Sequence, residues 1–183
     1  IAIQSLSSVS LAADVAVDFS TPSATEVLLQ KAVASSIPVV IGTTGFSETQ
    51  RIKIQKAAEF IPIVFSPNMS VGVNLLFKLT QIASSILQEG YDVEIFEAHH
   101  RLKKDSPSGT AKKLIDIVRE NRKDLEQAKL IHGREGIVGE RTNNEIGVMV
   151  LRGGDIVGEH TVYFVENGER IELTHRATSR ENF

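Results

Sequence analysis

The sequence predicts an α/β protein, with a partial, Rossmann-like parallel-sheet domain followed by an α+β domain whose sheet is mixed. Three observations lead there. Residues 15–65 alternate short apolar runs with helical patterns. After Gly90 the pattern changes to strand-like segments that include a hairpin signal. The length of 183 residues suits one domain or two small ones.

Val15-Ala16-Val17-Asp18-Phe19 reads as the first strand, followed by the turn and cap signals Ser20-Thr21-Pro22-Ser23. Ser23 and Glu26 have capping-box spacing, and Ala24, Val27, Leu28 and Ala32 recur at helical period. Ile37-Pro38-Val39-Val40-Ile41 is the next strand, broken at Gly42-Thr43-Thr44-Gly45. A polar helix is expected from about Ser47 to Glu59, then the strand Ile61-Pro62-Ile63-Val64-Phe65. Strands and helices in this alternation imply right-handed crossovers and a parallel sheet, half of a doubly wound nucleotide-binding fold.

Ser66-Pro67-Asn68 closes that region. A long amphipathic helix follows from about Val71 to Gln88, with Leu75, Leu76, Leu79, Ile82, Ala83 and Ile86 as its apolar stripe. Strand-like segments then lie near 92–98, 145–152, 157–165 and 170–176, with one helix at about 108–120. Asn167-Gly168 between two alternating runs marks a hairpin. These segments predict a second domain.

Composition narrows the function. Hydrophobic content of 42%, charged content of 23% and a formal net charge of −3 are ordinary for a globular protein and give no nucleic-acid footprint. There is no cysteine, which removes disulfides, thiolate nucleophiles and Cys-type zinc sites. No run reaches the roughly 20 apolar residues of a membrane span, and no signal peptide is visible, so a cytoplasmic location is expected. The start at Ile1-Ala2-Ile3, already strand-like and without Met, and the end at Phe183 suggest a piece of a longer chain.

Chemistry concentrates between Glu97 and Thr110, where a strand ends and a helix begins. Small residues Ser108-Gly109-Thr110 at the helix start leave amides and the positive dipole end open to an anion. His99, His100, Arg101, Lys103 and Lys104 lie just upstream. Histidine suits proton transfer, and lysine either holds a carboxylate or donates a proton. A solvated basic loop before a capped helix is the competing reading.

Gly42–Gly45 and Ser66-Pro67-Asn68-Met69 fall at the ends of consecutive strands, so both should line the sheet edge at which open α/β folds bind ligands. Asp18 either touches a ribose or caps the following turn. His132, His160 and His175 lack metal-ligand spacing, and no metal site is expected. Gly153-Gly154-Asp155 reads as a loop.

The run Glu97-Ala98-His99-His100-Arg101-Leu102-Lys103-Lys104-Asp105-Ser106-Pro107-Ser108-Gly109-Thr110-Ala111 closely resembles the signature of the dihydrodipicolinate reductase family. Gly42–Phe46, Ser70–Asn74, Arg134-Glu135-Gly136, Gly154–His160, Leu173-Thr174-His175 and Ser179-Arg180 fit the same family, so the resemblance covers nearly the whole chain.

It implies a nicotinamide-dependent reduction of a cyclic imine dicarboxylate on the route to lysine, with NADH or NADPH as cofactor, and a homotetramer. Residues 1–69 would form a partial dinucleotide-binding domain, rejoined by the chain near 181–183. Residues 70–180 would bind substrate and build the tetramer. By resemblance His99 is the catalytic acid/base and Lys103 a proton donor. His100, Ser108, Gly109, Thr110 and Arg180 would contact the substrate carboxylates. Gly42, Thr43, Thr44, Ser66, Pro67, Asn68 and Met69 would hold the nicotinamide end. The family's glycine-rich phosphate loop is expected before Ile1.

Overall fold

A computed structural model describes residues 13–181. The strand-like start at Ile1-Ala2-Ile3 lies outside the described residues, and the return expected near 181–183 falls at and beyond their last member. The chain divides into two compact units, Ile1–Pro67 and Asn68–Phe183.

In the first unit three short parallel strands, β1 (Ala16–Asp18), β2 (Val39–Ile41) and β3 (Ile63–Phe65), lie in the order β1-β2-β3. Helices α1 (Pro22–Ser35) and α2 (Glu48–Ala58) connect them. The core joins Leu28, Leu29 and Ala32 of α1, Val39 and Ile41 of β2, and Ile54 and Ala57 of α2. The strands are shorter than the apolar runs because prolines interrupt the ladder. Pro38 and Pro62 have no N–H, yet their carbonyls accept from Ala16 at 2.9 Å and from Val39 at 3.0 Å.

Helix α1 corrects one expectation. Its N-cap is Thr21, whose hydroxyl accepts from the Ala24 amide at 3.4 Å, not Ser23 within a Ser23–Glu26 box. Pro22, with its φ preset for the first turn, moves the start forward. Glu26 is thereby free to pair with Lys53 of α2 at 2.5 Å. A capping box does exist on α2, between Ser47 and Gln50.

The second unit carries a five-stranded mixed sheet in the order β5-β6-β4-β7-β8. Its strands are β4 (Asp92–His99), β5 (Lys129–Ile131), β6 (Glu145–Arg152), β7 (Gly158–Glu166) and β8 (Glu169–Ala177). β4 runs parallel to β6 and antiparallel to β7, and the β7–β8 hairpin turns through Asn167-Gly168, with Gly168 at φ 93°. Helices α3 (Val71–Ile86) and α4 (Gly109–Asn121) cover one face. There Val93 and Ile95 of β4, Ile146 and Val148 of β6, and Val162 and Phe164 of β7 pack against Leu76, Phe77, Leu114, Ile115 and Val118. Strand β5 and a 3-10 turn at Lys123–Leu125 had no strong sequence signal, being three residues each.

Of the apolar stripe expected on α3, only Leu76 and Ala83 pack against the core. Leu75, Leu79, Ile82 and Ile86 are exposed, whereas Val73, Leu76, Phe77, Thr80 and Ser84 face the core. Thr80 and Ser84 are small enough to pack closely, and a pattern that scores hydroxyls as polar selects the wrong side. Arg122, at the C-cap of α4, is also buried. It donates to the carbonyls of Leu87 at 2.7 Å and Tyr91 at 3.2 Å and pairs with Asp124.

Candidate active site

Alternation along β4 places Val93, Ile95, Glu97 and His99 on the helix-covered face. The first two belong to the apolar core, while the last two lie beyond its edge, where the face becomes polar. Register carries this across the sheet: Glu97 stands opposite His160 on β7, His160 opposite His175 on β8, and His99 opposite Arg152 on β6. The start of α4 lies over the same corner.

Glu97 is fully buried and makes four hydrogen bonds to three residues. Its Oε2 meets His99 Nδ1 at 2.6 Å and accepts from Arg152 Nη1 at 2.7 Å. Its Oε1 accepts from Arg152 Nη2 at 2.9 Å and from the Ser108 amide at 2.9 Å. Burial pushes the Glu97 carboxyl up, but His99, Arg152 and the Ser108 amide together outweigh it and hold the group down at about 2. Arg152 also donates to the Asp105 carbonyl at 2.9 Å, tying the loop before α4 to β6.

Ser108 is the N-cap of α4, its hydroxyl accepting from the Ala111 amide at 3.2 Å. The same hydroxyl lies 3.0 Å from His160 Nε2. Burial, with His99 adding to it, pushes the His160 imidazole down to about 3. His160 therefore stands neutral at an edge-on 5.2 Å from the His99 ring. Among the described residues the Gly109 and Thr110 amides, first in α4, have no acceptor, which is the condition for holding an anion.

The other predicted residues cluster here in part. His100 Nε2 accepts from Arg180 Nη2 at 2.9 Å, and burial together with Arg180 holds the imidazole below its ordinary value. Lys103 Nζ pairs with Asp105 at 2.8 Å. The Gly153-Gly154-Asp155 loop does more than connect strands, since Gly153 donates to the His99 carbonyl at 3.0 Å and Gly154 accepts from the Arg101 amide at 3.2 Å. Glu97, Arg152 and His160 were given no role from sequence. The alternation of Glu97 with His99 was a readable signal, but their cross-strand partners were not.

In the first unit, Gly42 follows β2 and donates to the Asp18 carbonyl at 2.8 Å, while Ser66 donates to the Ile41 carbonyl at 3.1 Å. Gly42–Thr44 and Ser66 thus sit together at the C-terminal strand edge. Asp18 caps the turn: its carboxylate accepts from Ser20, Thr25 and Thr43. A Cβ at Gly42 would stand 2.0 Å from the Phe19 ring, so only glycine lets this backbone lie against it. Pro67 is exposed; Asn68 accepts from the Ser70 amide at 2.8 Å, and Met69 is half-buried. Among the described residues no cluster could hold a metal ion, and no helix is long and apolar enough to cross a membrane.

These features define an α/β protein with a partial parallel-sheet unit and a histidine–carboxylate site at a helix N-terminus. The family model described as dihydrodipicolinate reductase, N-terminus, matches residues 1–69, and that for the C-terminus matches residues 72–183. The chain belongs to the dihydrodipicolinate reductase family. The 4-hydroxy-tetrahydrodipicolinate reductase of Thiobacillus denitrificans is 56% identical over 172 residues, covering 93% of this chain and 64% of that protein. That of Syntrophotalea carbinolica is 51% identical over 173 residues, covering 94% and 64%. The solved structure of dipicolinate-bound dihydrodipicolinate reductase from Paenisporosarcina sp. TG-14 matches with a TM-score of 0.72 at 28% identity, over 93% of this chain and 64% of that one. The chain spans just under two thirds of the length of these relatives.

Proposed function

We propose that this chain carries the substrate site and part of the cofactor site of a 4-hydroxy-tetrahydrodipicolinate reductase, which forms tetrahydrodipicolinate on the diaminopimelate route to lysine. The observation that carries this reading is one corner of the second unit. There a carboxylate-held His99 lies beside a helix start with two free amides, flanked by Lys103, His100 and Arg180. An anion-binding helix start beside a proton source suits a substrate that is a dicarboxylate and must be protonated when reduced. The dipicolinate in the Paenisporosarcina protein is a dicarboxylate of this kind.

In this reading His99 and Lys103 deliver the proton, and His100, Ser108, Gly109, Thr110 and Arg180 hold the carboxylates. Residues 70–180 form the substrate-binding and tetramerisation domain. Residues 1–69 form part of the dinucleotide domain, with Gly42, Thr43, Thr44, Ser66, Pro67, Asn68 and Met69 at the nicotinamide end. The Gly42 edge suits such a flat ring, because the Phe19 ring that packs against Gly42 is itself exposed and offers a flat apolar surface. NADH or NADPH, when bound, supplies the hydride. Exposed Ile137, Val138 and Leu151 support self-association as a homotetramer. A small-molecule reduction of this kind fits a cytoplasmic enzyme.

The test follows NADH and NADPH oxidation by the intact gene product, with the tetrahydropyridine dicarboxylate generated in the cuvette. Oxidation that depends on the dicarboxylate is expected. Its absence from a folded protein with both cofactors would overturn the reading.

A further inference from the structure

Resting on the proposed reduction, we infer that Glu97 is a positioning residue that fixes the His99 ring and confines its exchangeable proton to Nε2. Arg152 serves as the clamp that holds Glu97 in place. Neither residue needs to touch the substrate.

A carboxylate without a proton only accepts hydrogen bonds, so its 2.6 Å contact requires a proton on His99 Nδ1. The nitrogen that remains, Nε2, is engaged by no hydrogen bond among the described residues. The orientation is enforced on several sides. Glu97 is fully buried and cannot swing away, because Arg152 grips both its oxygens at 2.7 and 2.9 Å. On the ring's other side lies Gly158, where a Cβ would stand 3.2 Å from Nε2, so glycine leaves room for this pose. His160 lies edge-on at 5.2 Å and, being neutral, does not repel a protonated His99.

The same carboxylate accepts from the Ser108 amide at 2.9 Å. One side chain therefore sets the acid and the start of α4 relative to each other. If the substrate's carboxylate sits on the Gly109 and Thr110 amides, its distance from His99 Nε2 is fixed through Glu97. Such indirect control follows the general rule that the partner of one imidazole nitrogen decides what the other can do.

In Glu97→Gln the amide keeps Arg152 Nη2 and the Ser108 amide only by presenting its oxygen to them, which turns its NH2 toward His99 and gives up the Arg152 Nη1 bond. Nδ1 then becomes an acceptor, and the neutral ring carries its proton on Nε2. The experiment reads the His99 ring by 15N NMR in the intact protein, alongside steady-state kinetics. Wild type is expected to show Nδ1–H when neutral, and Glu97→Gln to shift toward Nε2–H. Its kcat should fall about 100-fold with KM for the dicarboxylate within about threefold, since proton transfer is lost and anion binding is kept. Glu97→Asp, which restores an acceptor, should recover part of kcat.

A neutral wild-type ring that carries its proton on Nε2, or an unchanged tautomer and kcat in Glu97→Gln, would overturn the inference. The wild-type tautomer needs no substitution, so a variant that does not fold still leaves the inference open to refutation. A wild type without turnover but with the Nδ1–H tautomer would remove the proposed reaction and leave the positioning intact.

Discussion

Glu94 on β4 and Gly147 on β6 stand opposite each other in the parallel pair, and the Glu94 carboxylate lies over the bare glycine. A Cβ built on Gly147 would meet Glu94 Oε2 at 1.7 Å. The carboxylate rests there because Arg134 grips it at 2.8 and 3.1 Å and Arg141 reaches it at 3.2 Å. Arg141 also donates to the Glu145 carbonyl at 2.8 Å and Arg134 to the Glu145 carboxylate at 2.8 Å, pinning the 132–144 segment to the sheet.

Gly147→Ala should therefore push Glu94 off its arginines. These ion pairs are partly exposed, so the cost is about 1–2 kcal/mol. Chemical denaturation measures it, and limited proteolysis should find the 132–144 segment cleaved faster. An unchanged midpoint and unchanged cleavage would mean that Glu94 finds another pose at no cost.

Acid should destabilise the second unit in two stages. The folded value of His160 is about 3 against an ordinary 6.5, so the unfolded chain binds the extra proton first as pH falls. Its contribution is complete above pH 6.5 and is lost progressively toward pH 3, on the order of 5 kcal/mol at full extent. Glu97, at about 2 against 4.5, adds a later loss between those values. Denaturant midpoints measured from pH 7 to pH 4 should fall for the wild type and fall less for His160→Gln. Parallel curves would refute the role of His160.

Much of this architecture is legible in the sequence. Alternation and helical period mark the order of elements, the capped start of α4 and the β7–β8 turn, because each depends on neighbours in the chain. What is not legible depends on partners far along it. Glu97 could be placed on the His99 side of β4, but Arg152, 55 residues on, joins them only through the β4–β6 register. His160 looked scattered for the same reason. The buried face of α3 was read correctly only at Leu76 and Ala83, because Thr80 and Ser84 pack inward while four larger apolar side chains remain outside.

Asp18 fixes the Gly42 turn through a cluster of hydroxyls gathered on its carboxylate. Thr25 and Thr43 are both buried, and each donates its hydroxyl to the Asp18 carboxylate, as does Ser20. Asp18→Ala should take the carboxylate from these hydroxyls, leaving Thr25 only the Thr21 carbonyl at 3.1 Å and Thr43 only the residue-18 carbonyl at 3.5 Å, and cost about 1–2 kcal/mol. Asp18→Asn should cost less, because one oxygen still accepts. Urea unfolding ranks the three proteins, and equal stability of Ala and Asn variants would show that the hydroxyls find other acceptors. If the turn holds the nicotinamide end, both variants should also weaken NADPH binding in calorimetry.

His99 and Lys103 should fail in different ways when replaced. His99 is held by Glu97 and is assigned to proton delivery rather than to holding a carboxylate, so His99→Gln should lower kcat about 100-fold or more with little change in KM. Lys103 is held by Asp105 at 2.8 Å and brings a positive charge to the corner where Arg180 meets His100. Lys103→Met should therefore raise KM for the dicarboxylate and lower kcat together, since charge and proton leave at once. The double variant should be inactive yet retain the wild-type circular dichroism spectrum. Near-normal turnover in the double variant would remove both residues from the chemistry, whereas a kcat loss in Lys103→Met without any KM change would leave Lys103 a proton donor that holds no carboxylate.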